Sequence, residues 1–407
     1  MSSVKTTSTI PIEFFILIVA PIVIFVICSY ISPNAINGIN NLFTSNSTVQ
    51  FLFFGIGFFR IAFFIIYNYL IFKTAFILKK ILEYYFLQKR DQRKKNQGTI
   101  FFHSVLMAIK SIITLFLLFL IPSIIILANM KQIGSVSAQE TINASNFLMY
   151  LDYSLFGAYV PFSLQQFSHI KILDTLFLSA YTNLSTIISI IFILLLIKNI
   201  DLLRRFITAF FVVVMISIPL WYSFPALTPS EMYKNNVTTT TIDENIKNTI
   251  SFYLEKTSPR NSRLIDTISN IGSKPEEGYY SVSTFPSMHT AWGLLVLYFS
   301  FLIWAPFGIA TFFWYILNII GAMYTLEHYA VDIVSGVIIG VIGIIAVNYV
   351  FSRTKKSTEY PEFFFGIEVI RRDIRWFINN RSDIFFKIKT LLKSFLRHTI
   401  LVIKKFG

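Results

Sequence analysis

The sequence predicts an all-α, multi-pass membrane protein of about eight transmembrane helices, and three observations lead there. Hydrophobic residues make up 55% of the 407-residue chain and charged residues only 14%, which leaves too little polar surface to cover a water-soluble globule. The apolar residues fall into runs of about 20, the length an α-helix needs to cross a bilayer. Lys and Arg concentrate in alternate connections, as they do where short cytosolic loops anchor a helical array. Soluble, fibrous and disordered classes are thereby excluded.

Taken in order, the apolar runs place spans near 10–31, 50–78, 101–129, 175–197, 206–222, 288–304, 308–326 and 328–350. The first is too long for a signal-peptide core, and no small-residue cleavage site follows it, so it reads as a retained helix. Nearly all of the net charge of +14 sits on one side of this array: the loop from Lys79 to Lys95 carries +5, the connection from Lys198 to Arg205 +2, and the tail from Arg353 onward +8. The intervening loops, 130–174 and 223–287, are slightly acidic. Short basic loops stay in the cytosol, so both termini are expected there. The Asn-x-Ser/Thr triplets at Asn46, Asn143 and Asn236 all fall on the opposite side, as glycosylation acceptors would.

The tail alternates Phe, Ile and Leu with Lys from Phe385 to Lys393, the pattern of an amphipathic helix lying on a membrane surface. Its charge serves topology or attraction to anionic headgroups, and nucleic acid is not an expected partner. The single cysteine, Cys28, excludes a disulfide framework and Cys-based metal centres. Any chemistry must use other residues.

Two stretches place histidines at the non-cytosolic mouths of predicted spans. One is Phe285-Pro286-Ser287-Met288-His289-Thr290 and the other runs from Met323 to Asp332 with His328 between Glu327 and Tyr329. On a helix, His328 and Asp332 would share a face, and the carboxylate would fix the imidazole tautomer, leaving the second ring nitrogen as a nucleophile. Alone, such a pair could equally be a structural lock or half of a metal site. Ionisable groups within membrane spans are costly and mark function, and Glu327, His328 and Asp332 fall at the depth of His289.

Pro286-Ser287-Met288-His289, followed by His328-x-x-x-Asp332, resembles the type 2 phosphatidic acid phosphatase superfamily, and within it the inositol phosphorylceramide synthase branch. Further blocks that carry the likeness are Leu151-Asp152-Tyr153-Ser154-Leu155-Phe156-Gly157 with Pro161 and Leu164-Gln165, Phe224-Pro225 with Pro229, and Met323-Tyr324. The resemblance spans roughly residues 148–345. It implies a superfamily-type helical core, with 1–130 an accessory helical unit, 131–352 the catalytic membrane domain and 353–407 a basic cytosolic tail. It also implies the chemistry: His328, oriented by Asp332, attacks a lipid phosphate ester, and His289 protonates the leaving alkoxide and then activates the acceptor. No metal or other cofactor is required. The implied partners are a phospholipid donor and a lipid alcohol acceptor; the site faces the lumen or cell exterior, in Golgi or other secretory membranes of a eukaryote or the plasma membrane of a prokaryote. Hydrolysis by the same histidines is the rival reaction, and a non-catalytic carrier or scaffold the rival of another class.

The pattern departs from many superfamily phosphatases in two respects. Gly321-Ala322 stands where they carry Ser-Arg, and no Lys/Arg-Pro block matches, so the phosphate-binding cation is unassigned. The inositol phosphorylceramide synthase branch shares the missing Ser-Arg pair. Candidate substrate-binding residues are Arg60, within the second span, Arg263, in the long loop before His289, and the hydroxyls of Ser287 and Thr290. Lys110, Lys234, Arg260 and Lys274 are further cations. Asp152, Asp174 and Glu327 could bind an acceptor hydroxyl or serve as helix caps and local hydrogen-bond acceptors.

Overall fold

The computed structural model describes residues 138–234 and 284–353, with isolated residues between 19 and 27 and Arg371, Arg375 and Asn379. The spans expected over 50–78 and 101–129, nearly all of that over 10–31, the basic loop, most of the tail, Arg60 and Arg263 lie outside the described residues. Within them, the ordered segments are all helical: α1 (Ala138–Phe156), α2 (Val160–Ser163), a 3-10 turn (Leu164–His169), α3 (Lys171–Thr182), α4 (Leu184–Lys198), α5 (Ile200–Ser223), α6 (Pro229–Lys234), α7 (Met288–Ile303), α8 (Ala305–Tyr324) and α9 (Ala330–Arg353).

Three of these, α5, α8 and α9, are long and apolar enough to cross a membrane, and α3 with α4 makes a fourth if the pair, bent by 53°, is counted as one span. The described residues therefore account for three or four of the eight expected spans, alongside the shorter apolar α7. The span expected at 175–197 is broken at Asn183. There the Asn183 side chain donates to the Ser179 carbonyl at 2.8 Å, and Asn318 of α8 donates to the Ala180 carbonyl at 3.2 Å. Polar side chains thus satisfy carbonyls that the break would orphan inside an apolar bundle.

The core is built around α5, where Leu203, Ala209, Phe211, Val213, Val214 and Ile218 are fully buried. A helix apolar on every side is stable only when packed on every side, and here α4, α7 and α9 close around it. Its start is marked by Asn199, whose side chain accepts the Asp201 and Leu202 N–H groups at 2.9 and 3.4 Å. This satisfies donors that the first helical turn leaves open.

The loop expected over 130–174 instead carries α1, α2 and the 3-10 turn. In α1, Thr141, Ser145, Leu148, Met149 and Asp152 are buried, a spacing of three and four that makes one helical stripe. The polar members of that stripe hide the helix from a search for apolar runs. Ser145 accepts the Leu227 N–H at 2.8 Å, so α1 clamps the segment after α5. That segment, the start of α7 and the turn between α8 and α9 meet at one end of the bundle.

Candidate active site

The two histidine motifs converge through their backbones. The Ser287 N–H donates to the Asp332 carbonyl at 3.1 Å, and a Cβ on Gly336 would come within 2.4 Å of the Ser287 carbonyl oxygen. Only a residue without a side chain lets α9 lie this close to the first turn of α7. The imidazole rings of His289 and His328 consequently stand 5.9 Å apart, centroid to centroid.

His328 is 8% exposed and Asp332 is fully buried. Nδ1 of His328 lies 3.5 Å from Oδ2 of Asp332, outside ordinary hydrogen-bond range, while the same Oδ2 accepts the Tyr329 N–H at 2.8 Å. This corrects the expectation of a pair on one helical face. The helix begins at Ala330, so His328 sits in the turn before it and Asp332 in its first turn, where a carboxylate reaching back to the N-cap amide forms half of a capping box. Neither Oδ1 of Asp332 nor Nδ1 of His328 has a hydrogen-bond partner among the described residues.

The turn that presents His328 is set by Leu326, whose φ of 59° lies in the left-handed region that ends many helices but usually takes glycine. A non-glycine residue there costs roughly 1 kcal/mol or more. Burial holds it: the Leu326 side chain is fully covered within a cluster with Tyr159, Phe162, Leu227 and Tyr329, and its carbonyl accepts the Ser230 N–H at 3.0 Å.

His289 is half-buried and stacks on Tyr181 of α3, with centroids 4.4 Å apart and planes at 27°. Tyr181 lies two residues before the break at Asn183, and no motif in the sequence marks its contact with His289.

Ser287 and Thr290, expected to bind substrate, are both fully buried. Ser287 is the N-cap of α7; its hydroxyl oxygen accepts the Thr290 N–H at 3.3 Å and the Thr290 hydroxyl at 3.1 Å. Of the acidic residues, Asp174 accepts the Tyr324 hydroxyl at 2.8 Å. Asp152 accepts the Ala330 and Val331 N–H groups at 3.0 and 2.8 Å, so it caps α9 from another helix. Glu327 is half-buried.

The Gly321-Ala322 departure also has a physical reason. A Cβ at Gly321 would come within 2.3 Å of the Phe177 carbonyl oxygen, and Ala322 is fully buried against Tyr181 and Ile333. Backbone of α3 fills the space that a side chain at 321 would need, and side chains enclose Ala322.

Residues 146–346 match a family model described as the PAP2 superfamily. Comparison with curated proteins and with solved structures gave no significant match.

Proposed function

Because residues 146–346 belong to the PAP2 superfamily of phosphatases and phosphotransferases, we propose that this enzyme moves a phosphate-bearing group between membrane lipids through a phospho-histidine, as an inositol phosphorylceramide synthase does. The observation that carries the reading is one geometry: two imidazoles 5.9 Å apart, one of them beside a buried carboxylate at 3.5 Å.

In the first step, a ring nitrogen of His328 attacks the phosphorus of phosphatidylinositol. A P–N bond forms, the P–O bond to diacylglycerol breaks, and His289 supplies the proton to the departing alkoxide. Asp332, which faces Nδ1 of His328 at 3.5 Å, favours the imidazolium-like charge that builds on the ring and leaves Nε2 as the nucleophile. In the second step, His289 takes the proton of a ceramide-type primary hydroxyl, whose oxygen forms the new P–O bond as P–N breaks. Tyr181 keeps the His289 ring turned toward its partner in both. Ser287 and Thr290 brace the start of α7, and Arg60 and Arg263 are the candidate cations for the phosphate charge. The site faces the lumen or the exterior, opposite the basic connection from Lys198 to Arg205.

The Gly321-Ala322 packing favours transfer over hydrolysis, since it removes the Ser-Arg pair common among superfamily phosphatases. The test uses purified full-length protein in mixed micelles with phosphatidylinositol and a fluorescent ceramide, and in a second arm with phosphatidate. A new phosphosphingolipid formed by the wild type and lost in His328→Ala supports the transferase. Free phosphate released from phosphatidate, lost in the same variant, moves the assignment to a phosphatase, and equal signals from both proteins refute the histidine mechanism.

A further inference from the structure

The first turn of α9 is short of capping groups of its own. Its N-cap is Tyr329, a residue with no side-chain acceptor suited to the amides that follow, whereas Ser, Thr, Asp and Asn are the usual choices. The open N–H groups nevertheless find partners. Those of Asp332 and Ile333 turn back to the Tyr329 carbonyl at 3.2 and 3.4 Å. Those of Ala330 and Val331 go to separate oxygens of one carboxylate, Asp152, from a helix 178 and 179 residues earlier in the chain.

Asp152 itself is 1% exposed. It lies seven residues after Ser145 on the inward stripe of α1, two turns along, where Ser145 in turn holds the Leu227 N–H. Between them, these two side chains tie α1 to both segments that border the histidines. Such a bidentate cap fixes direction as well as position, because two N–H vectors on consecutive residues must both point at one planar group.

We propose that Asp152 is a positioning residue for the phosphotransfer pair: by gripping the Ala330 and Val331 amides it sets the orientation of the turn that carries His328 and Asp332. Asp152 touches neither imidazole; it acts through the backbone of residues 330 and 331. This rests on the histidine mechanism above. Oδ2 of Asp332 accepts the Tyr329 N–H and stands 3.5 Å from His328 Nδ1. Released from Asp152, the first turn is free to rotate, and the carboxylate no longer meets the imidazole while keeping its own cap.

Asp152→Ala, Asp152→Asn and Ala330→Pro are compared with wild type and His328→Ala as full-length protein in mixed micelles, with phosphatidylinositol and ceramide or with phosphatidate. Size-exclusion profiles and thermal midpoints report the fold. Proline is tolerated at the first helical position but lacks the N–H that Asp152 accepts. In Asp152→Ala the expected result is a kcat reduced at least about tenfold with KM within about threefold, the pattern of a lost transition-state alignment. Asp152→Asn, which keeps an acceptor oxygen, falls between Asp152→Ala and wild type. Adding Ala330→Pro to Asp152→Ala costs no more than the harsher single change, because the hydrogen bond that proline removes is one of the two already lost with Asp152.

Folded variants with wild-type kcat, a loss confined to KM, or additive effects would overturn the proposal. Should Asp152→Ala fail to fold, Asp152→Asn and Ala330→Pro decide; if none of the three folds, Asp152 serves the fold alone and the proposal falls. Absence of wild-type turnover, or turnover surviving in His328→Ala, instead brings down the histidine mechanism.

Discussion

The two ends of the bundle solve one electrostatic problem with opposite signs. At the histidine end, helices α7 and α9 begin, and their open N–H groups meet oxygens: Ser287 at the first, Asp152 and Asp332 at the second. At the other end α4 and α7 terminate, and their open carbonyls meet cations. Lys198 donates to the Ile303 carbonyl, and Arg375 donates to those of Ile197 and Lys198 at 2.8 and 2.9 Å. The guanidinium groups of Arg204 and Arg205 lie over Phe351 at 5.6 and 5.5 Å. Anionic groups suit helix starts and cationic groups suit helix ends. The difference lies in what else the capping groups do. Lys198 and Arg375 hold carbonyls, and Arg204 also pairs with Asp201 at 3.6 Å, whereas Asp332 faces an imidazole, so a cap at the histidine end is tied to the proposed chemistry and a cap at the other is not.

The sharpest way to break this contrast is Asp332→Asn, which keeps an oxygen for the Tyr329 amide but removes the charge beside His328. Turnover in the micelle assay is expected to fall by about 10²-fold or more, with the thermal midpoint little changed. Gly336→Ala ranks next. Its new methyl group must push against the Ser287 carbonyl, at a cost of about 1–3 kcal/mol typical of overpacking, and it separates the two motifs; thermal melts and turnover should both drop. At the opposite end, Lys198→Met removes a helix-end cation and should cost about 0.3–1 kcal/mol in a detergent melt, with kcat unaltered. An equal kcat loss there would erase the distinction between the ends.

The smallest effect concerns pH. Burial pushes the Asp152 carboxyl from 3.8 up to about 6, with the Ala330 and Val331 amides opposing and the charge of Asp332 adding to the rise. The folded chain therefore holds this proton more tightly than the unfolded chain. The stability that this tighter proton binding adds is full below 3.8 and is lost as pH rises through about 6. Thermal midpoints measured across that window should decline less steeply in Asp152→Asn than in wild type.

Much of the membrane core was legible in the sequence because apolar runs announce themselves. The runs at 206–222, 288–304, 308–326 and 328–350 lie within a few residues of α5, α7, α8 and α9. The break at Asn183 was not legible, since Asn in an apolar run marks a break only when Asn318, far along the chain, arrives to satisfy the freed carbonyl. Nor was α1, whose inward stripe mixes Thr141, Ser145 and Asp152 with Leu148 and Met149. The histidines and Asp332 stood out as costly residues at span mouths. Their support did not: Leu326 gives no sign of its left-handed φ, and Tyr181 resembles any other aromatic residue of a span. Gly336 alone offered a signal, one helical turn after Asp332, where a missing side chain permits close approach.

The central claim is that His328 carries the transferred group, and the most direct measurement is to find that group. Wild-type protein is mixed with phosphatidylinositol radiolabelled at phosphorus, without an acceptor lipid, quenched within one turnover under alkaline conditions that preserve phospho-histidine, digested and mapped by mass spectrometry. The mechanism predicts label on the peptide containing His328, discharged when ceramide is added before the quench and absent from His328→Ala. Label on His289, or product formed with no labelled peptide at any time point, would contradict it.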